Sequence, residues 1–141
     1  MYLLDTDHVS ELQSNTGAGR IPTARIGQIA PDDYGTTIIT FEEQMRGRLA
    51  QVAASDRAAP QSVLSYALLN ATHLFYYRVA VWQYTEVAAR QFGLLREAGI
   101  RIGTQDLKIA SIALSYGVTL LTRNARDFTK VPGLLMDDWT S

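Results

Sequence analysis

Apolar residues along the chain gather into short runs that alternate with longer periodic stretches. The runs YLL (2–4), GTTIIT (35–40), RVAVW (78–82) and GVTLLT (117–122) are rich in aliphatic and β-branched residues, and the pattern predicts strands there; GLLMDD (133–138) predicts a strand at a sheet edge. Between them TFEEQMRGRLAQVAAS (40–55), SVLSYALLNATHLFYY (62–77) and EVAARQFGLLREAG (86–99) read as helices, the last ending on a glycine stop. In DLKIASIALSYG (106–117) Lys108, Ser111 and Ser115 form a narrow polar stripe and almost everything else is apolar, which predicts a helix buried on most sides. Short clusters at 14–19 and 57–60 read as loops, and no repeat or low-complexity tract divides the chain. Strands alternating with helices predict an α/β fold, a three-layer α/β/α sandwich on a mainly parallel central sheet.

Composition narrows the possibilities. A chain of 141 residues, 47% of them hydrophobic, closes one core, so a single domain over 1–141 is expected. Thirteen Lys and Arg against 14 Asp and Glu give no overall basic signature, so a polyanion partner would have to be bound locally. Eleven of the 13 bases are arginine, the side chain suited to bidentate phosphate contacts. The absence of cysteine excludes disulfides, thiolate metal sites and thiol nucleophiles, and suits a reducing compartment. No apolar run approaches the roughly 20 residues that cross a bilayer, and Met1 leads into a strand without a cationic leader; a soluble, cytoplasmic protein with no membrane partner is expected.

In a parallel α/β sheet, ligands sit beyond the carboxyl ends of the strands. The residues just past the strands here are acidic: Asp5 and Asp7 after the first, Glu42 and Glu43 after the second, Asn124 and Asp127 after the fourth, with Asp106 opening the buried helix. Carboxylates converging on one edge raise one another's pKa unless a cation neutralises them, and an all-oxygen set selects Mg²⁺ or Mn²⁺. Each residue also has a structural reading. Thr40 to Glu43 matches a capping box with Thr40 as N-cap, Asn124 to Asp127 has the same form, and Asp106 suits a helix N-terminus. His8 reads as a partner of the surface or of a helix start, and His73 as a packed histidine in an apolar helix. Tyr66, Phe75, Tyr76 and Tyr77 read as core or interface aromatics, without the interleaved bases of a base-stacking platform.

Three stretches carry a family resemblance: YLLDTDHVS at the start, ITFEEQMRG with Glu43 four residues before Gly47, and RIGTQDLKIASIALSYGVTLLTRNARDFTKVPGLLMDDW over 101–139. The chain resembles PIN-domain ribonucleases of the VapC toxin type along essentially its whole length, with the middle (57–95) similar only in helical character. The resemblance implies Asp5, Glu43 and Asp106 as the carboxylates of a metal site. The fourth acidic position falls at Asn124 or at Asp127, and Asp7 stands where the family often has Asn. The implied activity is Mg²⁺- or Mn²⁺-dependent endonucleolytic cleavage of RNA, as the toxin of a pair with a VapB-like antitoxin, in a protein that commonly forms a homodimer. Arg46, Arg48, Arg123 and Arg126 are the bases available for the substrate backbone. Two other readings stand beside it: a non-catalytic RNA-binding PIN domain, favoured if Asn124 disables the site, and a haloacid-dehalogenase-like phosphatase opening on Asp5-Thr6-Asp7. The second lacks the small residue after the Asp pair and a downstream Thr and Lys set.

Overall fold

The computed structural model describes residues 1–14, 23–56 and 59–140. The elements run β1 (Tyr2–Leu4), α1 (Thr6–Gln13), α2 (Thr23–Gly27), a 3₁₀ turn (Pro31–Asp33), β2 (Tyr34–Thr37), α3 (Ile38–Ser55) and α4 (Ala59–Tyr76). They continue with β3 (Ala80–Trp82), α5 (Glu86–Glu97), α6 (Thr104–Tyr116), β4 (Thr119–Leu121), α7 (Ala125–Phe128) and β5 (Met136–Asp137). The five strands form one sheet in the order β3-β2-β1-β4-β5, and every pairing is parallel. The first strand, β1, therefore lies at the centre of the sheet.

Short apolar doublets build the core on both faces of that sheet. Leu3 and Leu120 point to one side, where they join Ala88 and Leu95 of α5, the buried flank of α6 and Phe128 of α7. Leu4 and Leu121 point to the other, against Val9 of α1 and Trp139, with Ile26 of α2 and Phe75 of α4 at its margin. Strands buried on both faces read as continuous apolar runs, and helices over both faces complete three layers. The helix α6 is the buried one expected, with Leu107 and Ile109 to Ala113 all buried. Its end is set by Gly117 at φ 64°, a left-handed position open to glycine at no steric cost, after which the Val118 N–H returns to the Ala113 carbonyl at 3.2 Å. Gly35 serves a different purpose. A Cβ there would lie 2.7 Å from the Ala80 carbonyl oxygen and 2.8 Å from Trp82 Nε1, so only glycine lets β3 pair with β2.

Several boundaries differ from expectation for identifiable reasons. The strand expected over 35–40 stops at Thr37, whose extended backbone and hydroxyl cap the next helix by accepting the Thr40 N–H at 3.1 Å. Ile38 and Ile39 thus open α3 in place of closing a strand, and Thr40 sits inside the helix, so Thr40 to Glu43 is not a capping box. The loop expected at 57–60 is helical from Ala59, with Pro60 near the start of α4 where its missing N–H costs nothing; residues 57 and 58 lie outside the described set, as does most of the loop expected at 14–19. The two histidines exchange roles relative to the sequence reading. His8 is fully buried, whereas His73 is exposed on α4 with its ring edge-on to Tyr77. Tyr66 and Tyr77 are also largely exposed, while Phe75 and Tyr76 are half-buried. No helix among the described residues is long and apolar enough to cross a membrane.

Candidate active site

The carboxyl ends of β1, β2 and β4 lie side by side because those strands are neighbours in the sheet. The segments leaving these strands are therefore brought to one edge. Asp5 comes directly after β1 and caps α1: one carboxylate oxygen accepts the Thr6 N–H at 2.8 Å, and the other accepts the Thr122 hydroxyl at 2.7 Å from the end of β4. Thr122 also accepts the Asn124 N–H at 3.0 Å, so one hydroxyl fixes both Asp5 and the turn into α7. Glu43 projects from the second turn of α3 and is half-buried, and Asp106 stands in the first turn of α6. Asn124 links the last two acids, its side-chain amide donating to Asp106 at 3.3 Å and to Asp127 at 3.2 Å.

The electrostatics of this edge are those of uncompensated negative charge. Burial pushes the Asp5 carboxyl up to about 6; the Thr122 hydroxyl pulls it down, while the Asp7 and Asp106 charges push it further up. Burial raises Glu43, and the Asp106 and Glu42 charges add to the effect more than Arg46 offsets it. Burial likewise raises Asp106, followed by the Asp127 and Asp7 charges, with the Asn124 amide opposing them. Among the described residues none of Asp5, Glu43 and Asp106 has a Lys, Arg or His within ion-pair distance. Among the same residues no three His, Asp or Glu side chains stand in a closed ligating arrangement. The donor set is nonetheless all oxygen, clustered and short of positive charge, which are the conditions under which a hard divalent cation binds.

The expected basic residues are placed less uniformly. Arg46 is exposed and pairs with Glu42 one turn back on α3. Arg123 is exposed and pairs with Glu11 at 3.2 Å. Arg48 donates to Thr72 at 3.0 Å, which ties α3 to α4. Arg126, also exposed, has no ion pair among the described residues, while Asp127 beside it is 3.6 Å from Lys130. Asp7 is not a free acid: one oxygen meets His8 Nδ1 at 2.7 Å and the other accepts the Arg123 N–H at 3.0 Å. Sequence reasoning missed Thr122, which looks like the polar end of a strand, and the partners of His8. The signal available for Thr122 was its position, one residue past an apolar strand on the edge where Asp5 emerges.

No family model matches the chain. Ribonuclease VapC1 of Haemophilus influenzae is 30% identical to it over 145 residues, spanning 99% of this chain and 98% of that protein. The tRNA(fMet)-specific endonuclease VapC of Salmonella typhimurium is 35% identical over 69 residues, 46% of this chain and 52% of that protein. Among solved structures, VapBC-1 from nontypeable Haemophilus influenzae superposes with a TM-score of 0.75 at 28% identity, covering 99% of this chain and 98% of that one. FitAcB from Neisseria gonorrhoeae, at 22% identity, has the same fold with a TM-score of 0.73 over 99% of this chain and 98% of its own.

Proposed function

The chain belongs to the VapC family of ribonucleases, and on that premise we propose that it is a divalent-metal-dependent endoribonuclease, the toxin of a toxin–antitoxin pair. The observation that carries the metal dependence is the set of carboxyls gathered at the carboxyl edge of the sheet with raised pKa values, none of Asp5, Glu43 and Asp106 in an ion pair among the described residues. Asp5, Glu43 and Asp106 are the residues that would hold Mg²⁺ or Mn²⁺. A divalent ion bound there would lower the pKa of a coordinated water and neutralise charge on the phosphodiester undergoing cleavage.

The chain's own residues have separate tasks. Thr122 and the Thr6 N–H together hold the Asp5 carboxylate in one orientation. Asn124 draws Asp106 and Asp127 together, and by contributing an amide in place of a fourth carboxylate it limits their repulsion. Asp127 completes the polar wall. Arg126 has its guanidinium available for an RNA phosphate, while Arg46 and Arg123 would have to leave Glu42 and Glu11 to serve. The VapBC-1 neighbour supports a VapB-like antitoxin as the protein partner. The commitment of Asp7 to His8 and Arg123 argues against an Asp-x-Asp phosphatase, whose second Asp must move a proton.

The test is cleavage of RNA by metal-free protein before and after Mg²⁺ or Mn²⁺ is restored. Cleavage only after restoration is expected; cleavage undiminished in EDTA would refute the metal-dependent reading.

A further inference from the structure

Asp7 and His8 are more tightly bonded than residues of a helix start need be. The imidazole is fully buried, and its two nitrogens face opposite demands. The Trp139 backbone N–H points at Nε2 from 3.1 Å. An N–H can be received only by an unprotonated nitrogen, so the ring proton resides on Nδ1 and is donated to Asp7 at 2.7 Å. The Asp138 carboxylate is farther from Nε2, at 3.5 Å, and the same oxygen already accepts the Thr140 N–H at 2.8 Å and hydroxyl at 2.6 Å. The second oxygen of Asp7 takes the Arg123 N–H at 3.0 Å. Donors thus converge on Asp7 from two sides: the Trp139 N–H donates to His8 and His8 donates to one Asp7 oxygen, while the Arg123 N–H donates to the other.

Asp7 is the common acceptor at the centre of this network. Both Asp7 oxygens must accept, because both groups facing them are donors. An amide at position 7 offers one acceptor and one donor, and whichever way it turns, a donor meets a donor. Shifting the His8 proton to Nε2 relieves that clash only by creating another against the Trp139 N–H. Resting on the reading of the carboxylate edge as a nuclease site, we infer that Asp7 and His8 are positioning residues: they hold the 122–124 turn so that Asn124 gathers Asp106 and Asp127. A histidine at position 8 thereby requires Asp, and not Asn, at position 7.

The experiment joins NMR on metal-free full-length protein to kinetics. In the wild type at pH 7.5, nitrogen-15 spectra are expected to report His8 with a protonated Nδ1 and a bare Nε2. An Nε2–H tautomer or an imidazolium would overturn the inference without any variant being made. In Asp7→Asn, the side-chain amide signal of Asn124 is expected to move toward that of a solvent-exposed amide. With Mn²⁺ present, kcat on RNA should fall about tenfold or more while KM stays within twofold, as expected when the support of a ligand is lost and the substrate contacts are not. An unmoved Asn124 signal in folded Asp7→Asn, or wild-type kcat in that variant, would also overturn it. Wild-type protein that cleaves no RNA would sink the nuclease reading alone, because the tautomer and the Asn124 signal decide the positioning inference without turnover.

Discussion

Asp5→Asn is expected to stabilise the metal-free protein at neutral pH while abolishing its activity. Raising a carboxyl from 3.8 to about 6 spans about 2.2 pH units, which at 1.36 kcal/mol each is about 3 kcal/mol of destabilisation carried by the ionised group in the fold. The folded state holds a proton that the unfolded chain has already released, so stability falls as pH rises from about 4 to about 6, and the full penalty is present above that. Asn keeps the acceptor for the Thr6 N–H but turns an amide toward Thr122, whose hydroxyl must then accept in place of donating; that rearrangement costs about 1 kcal/mol. The net gain is about 2 kcal/mol at pH 7.5, or about 5 °C in Tm for a chain of this size. Denaturant melts of both proteins from pH 4 to 8 provide the assay: the variant should lie about 1 kcal/mol below wild type near pH 4, and the curves should cross as pH rises, leaving it about 2 kcal/mol above wild type at pH 7.5. Saturating Mn²⁺ should reverse the order, since an ion at 100 times its Kd adds about 2.7 kcal/mol to the wild type and little to the variant. A metal-free variant less stable than wild type by 1 kcal/mol or more at pH 7.5 would show that Asp5 is held for structure and refute the reasoning.

Glu43→Gln should fold normally, since the cap of α3 is Thr37, yet bind Mn²⁺ more weakly and cut RNA orders of magnitude more slowly; turnover near the wild-type rate removes Glu43 from the site. Thr37→Ala should cost about 1 kcal/mol in a denaturant melt, the loss of a helix N-cap. Asn124→Asp adds a carboxylate beside Asp106 and Asp127, so metal-free Tm should drop and Mn²⁺ affinity measured by calorimetry should rise several-fold; an unchanged affinity would place residue 124 outside the field of the ion. Gly35→Ala forces a Cβ against the Ala80 carbonyl and should destabilise by about 2 kcal/mol or more, whereas a neutral melt would show that β3 yields freely.

The sheet and its acidic edge are legible in the sequence because both depend on strong local patterns. Doublets such as Leu3-Leu4 and Leu120-Leu121 can only be buried on two faces, and parallel strands then carry Asp5, Glu43 and the 122–127 segment to the same side. Boundaries fail where β-branched residues mislead: Ile38 and Ile39 look like strand and lie in a helix, because the Thr37 hydroxyl satisfies the helix start more cheaply than a longer strand would. His8 is misread for another reason. Its partners, the Trp139 N–H and through Asp7 the Arg123 N–H, lie more than 100 positions away, and no window along the chain contains them. The exposure of His73 is equally invisible locally, since α4 is apolar on most sides yet leaves Val63, Leu64 and Leu74 at the surface.

The central place of β1, between strands that follow it at very different distances along the chain, also gives the site a place in time. Asp5 leaves the ribosome 117 positions ahead of Thr122, the residue that orients it. At about 5–20 residues per second, the two are separated by on the order of 6–23 s of synthesis. β1 can pair with β2 early, but its other edge stays bare until β4 emerges, and Asn124 arrives only after that. Until then the growing polypeptide has no assembled carboxylate edge. Chains that terminate before Thr119 lack β4 and, with it, the hydroxyl that orients Asp5.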